Sequence, residues 1–208
     1  MKPLVTLALA CALFSGVYAL NCYECLPTGI GTCTDTTKTC PASQTNCGSM
    51  TAVVYVGDTP TTIKGKSCAA QAECVSGSVN FGITRTTINT KCCSTNLCNT
   101  AQAPELPNSS PNGKKCFTCV GNDCTSTLGC KGSEDRCIKA TVSTDGQAIT
   151  MKGCASQTAC SGSFSAQIGS TAVDLNCCEG NMCNNALRIG QSVLFLLLVP
   201  LASVILFN

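Results

Sequence analysis

Cys92-Cys93-Ser94-Thr95-Asn96-Leu97-Cys98-Asn99 and Cys177-Cys178-Glu179-Gly180-Asn181-Met182-Cys183-Asn184 share one frame: a cysteine pair, four residues, a cysteine and an asparagine. Counting back from each frame gives two runs of ten cysteines. The first is Cys22, Cys25, Cys33, Cys40, Cys47, Cys68, Cys74, Cys92, Cys93 and Cys98; the second is Cys116, Cys119, Cys124, Cys130, Cys137, Cys154, Cys160, Cys177, Cys178 and Cys183. Successive steps are 3, 8, 7, 7, 21, 6, 18, 1, 5 and 3, 5, 6, 7, 17, 6, 17, 1, 5, so five of nine agree and none differs by more than four. That rhythm marks a tandem duplication of one small cysteine framework. Neighbouring residues on a strand point to opposite sides, so Cys92 and Cys93 should bond elsewhere, with Cys98 and Cys183 the close partners open to Cys93 and Cys178. Spacing alone leaves the remaining connectivity open.

The one further cysteine, Cys11, lies in Met1 to Ala19, where Lys2 precedes an apolar run from Leu4 to Phe14. Val17 and Ala19 suit a signal-peptidase site, and the run is too short to span a bilayer. A signal peptide is expected over residues 1–19, leaving an even cysteine count from Leu20 onward. The other end carries Val193 to Phe207, fifteen apolar residues followed only by Asn208. No Lys or Arg follows, as a stop-transfer helix would favour. Small residues, a short polar spacer and a terminal apolar tail instead form a glycosylphosphatidylinositol (GPI) signal. Asn184, followed by Asn185 and Ala186, is the expected attachment residue, Asn185 the alternative, and residues 185–208 the part removed.

Between the two ends, the loss of Lys2 and Arg188 leaves 11 basic against 11 acidic side chains. The longest basic stretch is Lys114-Lys115, which offers nucleic acid no electrostatic footprint.

Each cysteine run is too small for an apolar core to hold unaided, and aromatics are only 4% of the chain with no Trp. A disulfide closing a loop of about 15 residues is worth about 3 kcal/mol through the unfolded state. Five in each half therefore outweigh what so poor a core contributes. Residues 20–99 and 116–184 read as two domains, joined by a linker at 100–115. Pro104, Pro107 and Pro111 make that linker exposed and semi-extended, and it holds the Asn108-Ser109-Ser110 sequon, so Asn108 is the expected glycosylation site.

Within the domains the pattern is strand. Thr51 to Val56 is rich in β-branched residues and turns through Gly57-Asp58-Thr59-Pro60 into Thr61 to Ile63. Ile138 to Val142 turns through Thr144-Asp145-Gly146-Gln147 toward Ile149 and Met151, with Asp-Gly a strong tight-turn signal. Thr84 to Lys91 and Ser170 to Asn176 lead as strands into the two cysteine pairs. The fold class is small, disulfide-rich and all-β.

Cys-x-x-Cys at Cys22 and Cys25 would also suit half a zinc site or a redox pair. The chain has no His, and secretion favours disulfides. At this point the residues resemble a known family. Leu20-x-Cys22-x-x-Cys25 with the first closing frame, and Cys116-x-x-Cys119 with the second, resemble the LU domain of the lymphocyte antigen six/urokinase receptor three-finger family. The resemblance spans nearly all of residues 20–184. It implies pairings Cys22–Cys47, Cys25–Cys33, Cys40–Cys68, Cys74–Cys92 and Cys93–Cys98, then Cys116–Cys137, Cys119–Cys124, Cys130–Cys154, Cys160–Cys177 and Cys178–Cys183. It also implies that Asn99 and Asn184 tie each domain's end to its first strand.

With no His, the chain lacks imidazole triads, and no Gly-x-Ser-x-Gly elbow or phosphate-cradling loop occurs. Glu134-Asp135, the only adjacent carboxylate pair, reads as a solvated loop. An enzyme is not expected, nor is any cofactor or metal. Three fingers stapled at one end present loops for binding, so the resemblance implies a GPI-anchored receptor or adhesion protein on the outer face of the plasma membrane, with an extracellular protein ligand. The alternative is a secreted two-domain inhibitor like the phospholipase inhibitors of that family. Contact segments are expected at Gly57 to Thr61, Thr144 to Gln147, Ser76 to Arg85 and Ser161 to Gly169. Phe81, Arg85 and Phe164 are the expected anchors, since interface energy concentrates on aromatics and Arg.

Overall fold

β-branched runs and two-residue turns set the strands. The computed structural model describes residues 19–26, 33–144, 147–161 and 173–185; the expected signal segment, the apolar tail, Phe164, Asp145 and Gly146 lie outside these. The first domain contains β1 (Asn21–Glu24), β2 (Thr36–Thr39), β3 (Asn46–Val56), β4 (Thr59–Ala69), β5 (Ser76–Asn80) and β6 (Thr84–Cys93). The second contains β7 (Pro111–Val120), β8 (Asp123–Lys131), β9 (Arg136–Thr144), β10 (Gln147–Ala155) and β11 (Val173–Cys178). Short 3-10 turns at Gln71–Glu73 and Gln157–Cys160 are the only helical elements among the described residues.

The first long hairpin, β3–β4, turns on Gly57 and Asp58. Gly57 has φ +60°, a left-handed conformation that favours glycine. β1–β2 and β7–β8 form separate two-stranded sheets, the first finger of each domain. The remaining strands join into one seven-stranded sheet in the order β11-β9-β10-β5-β6-β3-β4. The junction lies between β10 of the second domain and β5 of the first, paired at Cys154↔Asn80 and Ala155↔Val79. The domains are thus continuous through backbone hydrogen bonds.

Ten disulfides knot the described residues. Cys22–Cys47 lies beside Cys40–Cys68 in the first domain, and Cys116–Cys137 beside Cys130–Cys154 in the second. These buried sulfurs are the core of each knot, with Leu20 against the first and Leu128 against the second. Asn99 Oδ1 accepts from the Tyr23 amide at 3.0 Å, while its Nδ2 donates to Tyr23 O at 2.8 Å and Gly48 O at 3.0 Å. Asn184 repeats this on Phe117 and Ile138 at 2.9–3.0 Å. Leu97 and Met182, at equivalent places in the two closing frames, both adopt positive φ.

The apolar core proper belongs to neither domain alone. Ala52, Val79 and Ile88 of the first domain pack in one cluster with Ile138, Ala155 and Ala159 of the second. The segment read as an exposed linker also docks. Ala103 is buried and its carbonyl accepts from Thr51 Oγ1 at 2.6 Å. Pro104 O accepts from Asn89 Nδ2 at 2.7 Å, and Pro111 already begins β7. Proline blocks donors but leaves carbonyls free to accept, which is how a Pro-rich segment lies along a sheet.

Candidate functional site

The second, third and first fingers of the two domains meet at a polar seam centred on Glu134. Its position is set by β8 and β9, which flank the short Lys131-to-Asp135 turn, and its side chain has no solvent exposure (0%). One carboxylate oxygen accepts from Arg85 Nε at 2.8 Å and Ser78 Oγ at 3.2 Å. The other accepts from the Lys131 amide at 2.8 Å and Asn80 Nδ2 at 3.3 Å. Ser78, Asn80 and Arg85 come from β5 and β6 of the first domain, so three of the four donors cross the seam. A carboxylate can be buried only when its charge and lone pairs are satisfied in this way. The reading of Glu134-Asp135 as a solvated loop is therefore corrected: Glu134 is buried, and Asp135 pairs with Arg136 at 3.0 Å.

Arg85 also departs from its expected role. It is 8% exposed, committed to Glu134 and set 5.9 Å from the Tyr55 ring centroid, which leaves it inside the seam. Phe81 is half-buried and packs against the shared core, while its carbonyl accepts from Thr118 Oγ1 at 2.9 Å. Ser76 to Asn80, expected as part of a free loop, is β5, and Gly77 to Asn80 are buried. Further ties are Ser156 N to Ser78 O at 2.9 Å, Ser78 N to Ser156 Oγ at 3.0 Å and Thr158 Oγ1 to Ser76 O at 2.6 Å. Gly153 lies so close to the first domain that a Cβ there would sit 1.9 Å from Asn80 O.

The signal for this seam was present in the differences between the two copies. Counting from the aligned cysteines, Glu134 stands where the first copy has Gln44, Gly153 where it has Ser67, and Arg85 where the second has Ser170. At these three positions the copies differ by a charge or by the presence of a side chain, and all three of Glu134, Gly153 and Arg85 face the other domain.

The tips remain open. Val56 is 59% exposed, Ile83 62% and Val120 60%. Val56 and Ile83 adjoin, since Gly57 N donates to Ile83 O at 2.9 Å. Ile83 follows two residues after the Phe81 carbonyl that Thr118 grips, and Val120 two residues after Thr118. Val56 and Ile83 thus form one exposed apolar rim at the finger tips of the first domain, and Val120 is exposed at the tip of the first finger of the second.

The copies differ also in how each treats a buried lysine. Lys66 Nζ binds Asp35 at 2.7 Å and Thr100 O at 2.8 Å, beside the Tyr23 ring. Its counterpart Lys152 is 4% exposed, lies 5.7 Å from the Phe117 ring centroid and has no carboxylate partner among the described residues. Burial, with repulsion from Lys139 second, holds the Lys152 ammonium below the ordinary lysine range. Its folded pKa is lower than its unfolded one, so between them the unfolded chain binds more protons and stability rises with pH. Lys152→Met should raise stability at neutral pH by roughly 1 kcal/mol, because relief of the buried charge outweighs its attraction to the Phe117 ring. It should also flatten the gain on going alkaline, as read in thermal melts across pH.

Two sulfur groups, Cys22 with Cys40 and Cys68, and Cys116 with Cys130 and Cys154, each converge within 4.8 Å. All six are in disulfides and offer no thiolate to a metal.

Stapled fingers in two copies define the three-finger class of disulfide-rich β domains. Residues 18–101 match the u-PAR/Ly-6 domain model, and residues 115–184 match the snake toxin and toxin-like protein model. Rat lymphocyte antigen 6B is 31% identical over 124 residues, covering 57% of this chain and 80% of that protein. The urokinase plasminogen activator surface receptor of cattle is 35% identical over 112 residues (49% of this chain, 34% of the receptor), and that of rat 33% over 130 residues (57% and 39%). The chain belongs to the u-PAR/Ly-6 family. It spans between a third and two fifths of the length of these two receptors.

Proposed function

We propose that this chain is a GPI-anchored cell-surface glycoprotein of urokinase-receptor type, which binds an extracellular protein through a surface that both domains build together. The observation carrying this reading is the exposed apolar rim of Val56 and Ile83, with Val120 exposed on the second domain, on a pair of domains tied together through Glu134 and Arg85. Large exposed apolar side chains grouped on a rigid frame favour a protein partner. Two of the matching relatives, those of cattle and rat, are surface receptors by name. Catalysis finds no support in the site: Glu134 has all four contacts occupied by donors and no room for a substrate proton.

Anchor attachment at Asn184 is compatible with its buried amide. The lipid would join the α-carboxyl, leaving the side chain on Phe117 and Ile138. Phosphatidylinositol-specific phospholipase C should release the protein from intact cells; its presence only in the medium, without treatment, would favour the secreted inhibitor. Ile83→Asp should reduce cross-linking to a surface or extracellular partner about tenfold or more, the loss of a central apolar contact being worth about 1.4 kcal/mol or above. Ile149→Asp, at an exposed position on β10 of the second domain, serves as the comparison. Equal cross-linking by both variants would remove the rim from the reading.

A further inference from the structure

A cleft of about 120 Å³ opens beside the seam, lined by Tyr55, Asp58 and Arg85 of the first domain, Leu128 and Lys131 of the second, and Asn108 between them. Asn108 is the sequon asparagine, and it is exposed. We propose that this cleft seats the first N-acetylglucosamine of a glycan carried on Asn108 itself, so that the sugar bridges the two domains. The inference rests on the proposed passage of the chain through the secretory pathway.

The geometry of the asparagine favours it. Arg85 Nη1 lies 3.5 Å from Asn108 Oδ1, and Arg85 is itself held through Nε by Glu134. The amide carbonyl is thereby turned toward a locked guanidinium, at the long limit of a hydrogen bond. The Nδ2 end makes no hydrogen bond to any described residue. Glycosylation replaces one hydrogen on Nδ2 and leaves the carbonyl oxygen, so the Arg85 contact survives the modification.

The backbone on either side is pinned. Pro104 O is held by Asn89, and Ser110 O accepts from the Gly132 amide of the second domain at 3.1 Å. The sugar would therefore leave from a fixed point above the cleft, and little ordering entropy would oppose its seating. The walls suit it chemically. Tyr55 and Leu128 offer apolar surface to a sugar face, while Asp58 and the Lys131 ammonium offer partners for hydroxyls and the acetamido group.

The test compares three forms of the full chain made in secretory cells: fully glycosylated, trimmed by endoglycosidase to a single N-acetylglucosamine, and Ser110→Ala, which removes the sequon without altering Asn108. Enzymatic removal that converts Asn108 to Asp is avoided because it would add a charge beside Arg85. Intact mass gives occupancy, and amide exchange is followed at residues 55–58 and 128–131. The trimmed form should keep exchange slowed about fivefold relative to Ser110→Ala in both segments. Tyr55→Ala with the sugar in place should lose that protection. An Asn108 without sugar on protein that reaches the cell surface would overturn the inference, and with it the glycoprotein part of the proposed function, while leaving the anchored receptor reading intact. Glycosylated protein with exchange unchanged in both segments would overturn it too. Failure to reach the surface or medium at all would sink the proposed function instead.

Discussion

Gly153→Ala should part the seven-stranded sheet at its middle. A Cβ at that position would meet Asn80 O at 1.9 Å, Asn80 C at 2.9 Å and Phe81 Cα at 3.0 Å, all backbone atoms of the other domain. Flexible side chains can swing aside, but these atoms are fixed by the β5–β6 pairing and by the Thr118 bond to Phe81 O. Overpacking a close-packed site costs about 1–3 kcal/mol and sometimes more. The β10–β5 junction has only two paired residues with which to absorb it. Each domain is secured by its own five disulfides, so the strain should be relieved where nothing covalent resists, at the seam. The expected result is faster amide exchange at Val79, Asn80, Cys154 and Ala155, with new tryptic cleavage after Lys114 and little change within each knot. Retained protection at those four amides would show that the contact tolerates a methyl group.

Glu134→Ala is the second large effect. It strands the Arg85 guanidinium with 8% exposure and removes the acceptor from Ser78, Asn80 and the Lys131 amide. Breaking one side of a buried ion pair costs about 3–5 kcal/mol, most of it from the uncompensated charge left behind. The double variant Arg85→Met with Glu134→Leu should recover part of that loss. Recovery should stay incomplete because three donors still lose their acceptor. Denaturant midpoints with all disulfides intact would measure this, and the coupling follows from the double-mutant cycle. Strict additivity of the two single variants would mean that the pair does not act as a unit.

What could be read from the sequence was what is local. The β3–β4 hairpin follows from a β-branched run broken by Gly57-Asp58, since turn chemistry and strand propensity act within a few residues. β6 was readable as Thr84 to Lys91 for the same reason. The repeat placed the closing frames, and the family resemblance supplied a disulfide pairing that spacing could not.

The seam was not readable because it is made of long-range contacts between parts treated separately. Glu134 beside Asp135 carries every sign of a solvated turn until Arg85, 49 residues earlier, is brought against it. Arg85 looked like an anchor for a ligand for the same physical reason that it anchors the second domain: its planar donors suit a carboxylate. Composition makes the Pro-rich segment an exposed, semi-extended linker, but says nothing about which of its carbonyls a neighbouring sheet will satisfy. Phe81 shows the limit most plainly, since an aromatic near a finger tip is equally suited to a partner and to its own core.

The joint between the domains uses the third finger of one copy and the second finger of the other. Unlike edges meet, so the contact has a direction and is not self-complementary. Two identical copies facing each other through a two-fold axis could not both satisfy it. Growth by such a joint runs one way along a polypeptide, each added unit presenting a socket to its predecessor and a plug to whatever follows. That polarity is written in the two places where the copies differ at the joint: Gly153 in the second domain against Ser67 in the first, and Arg85 in the first against Ser170 in the second.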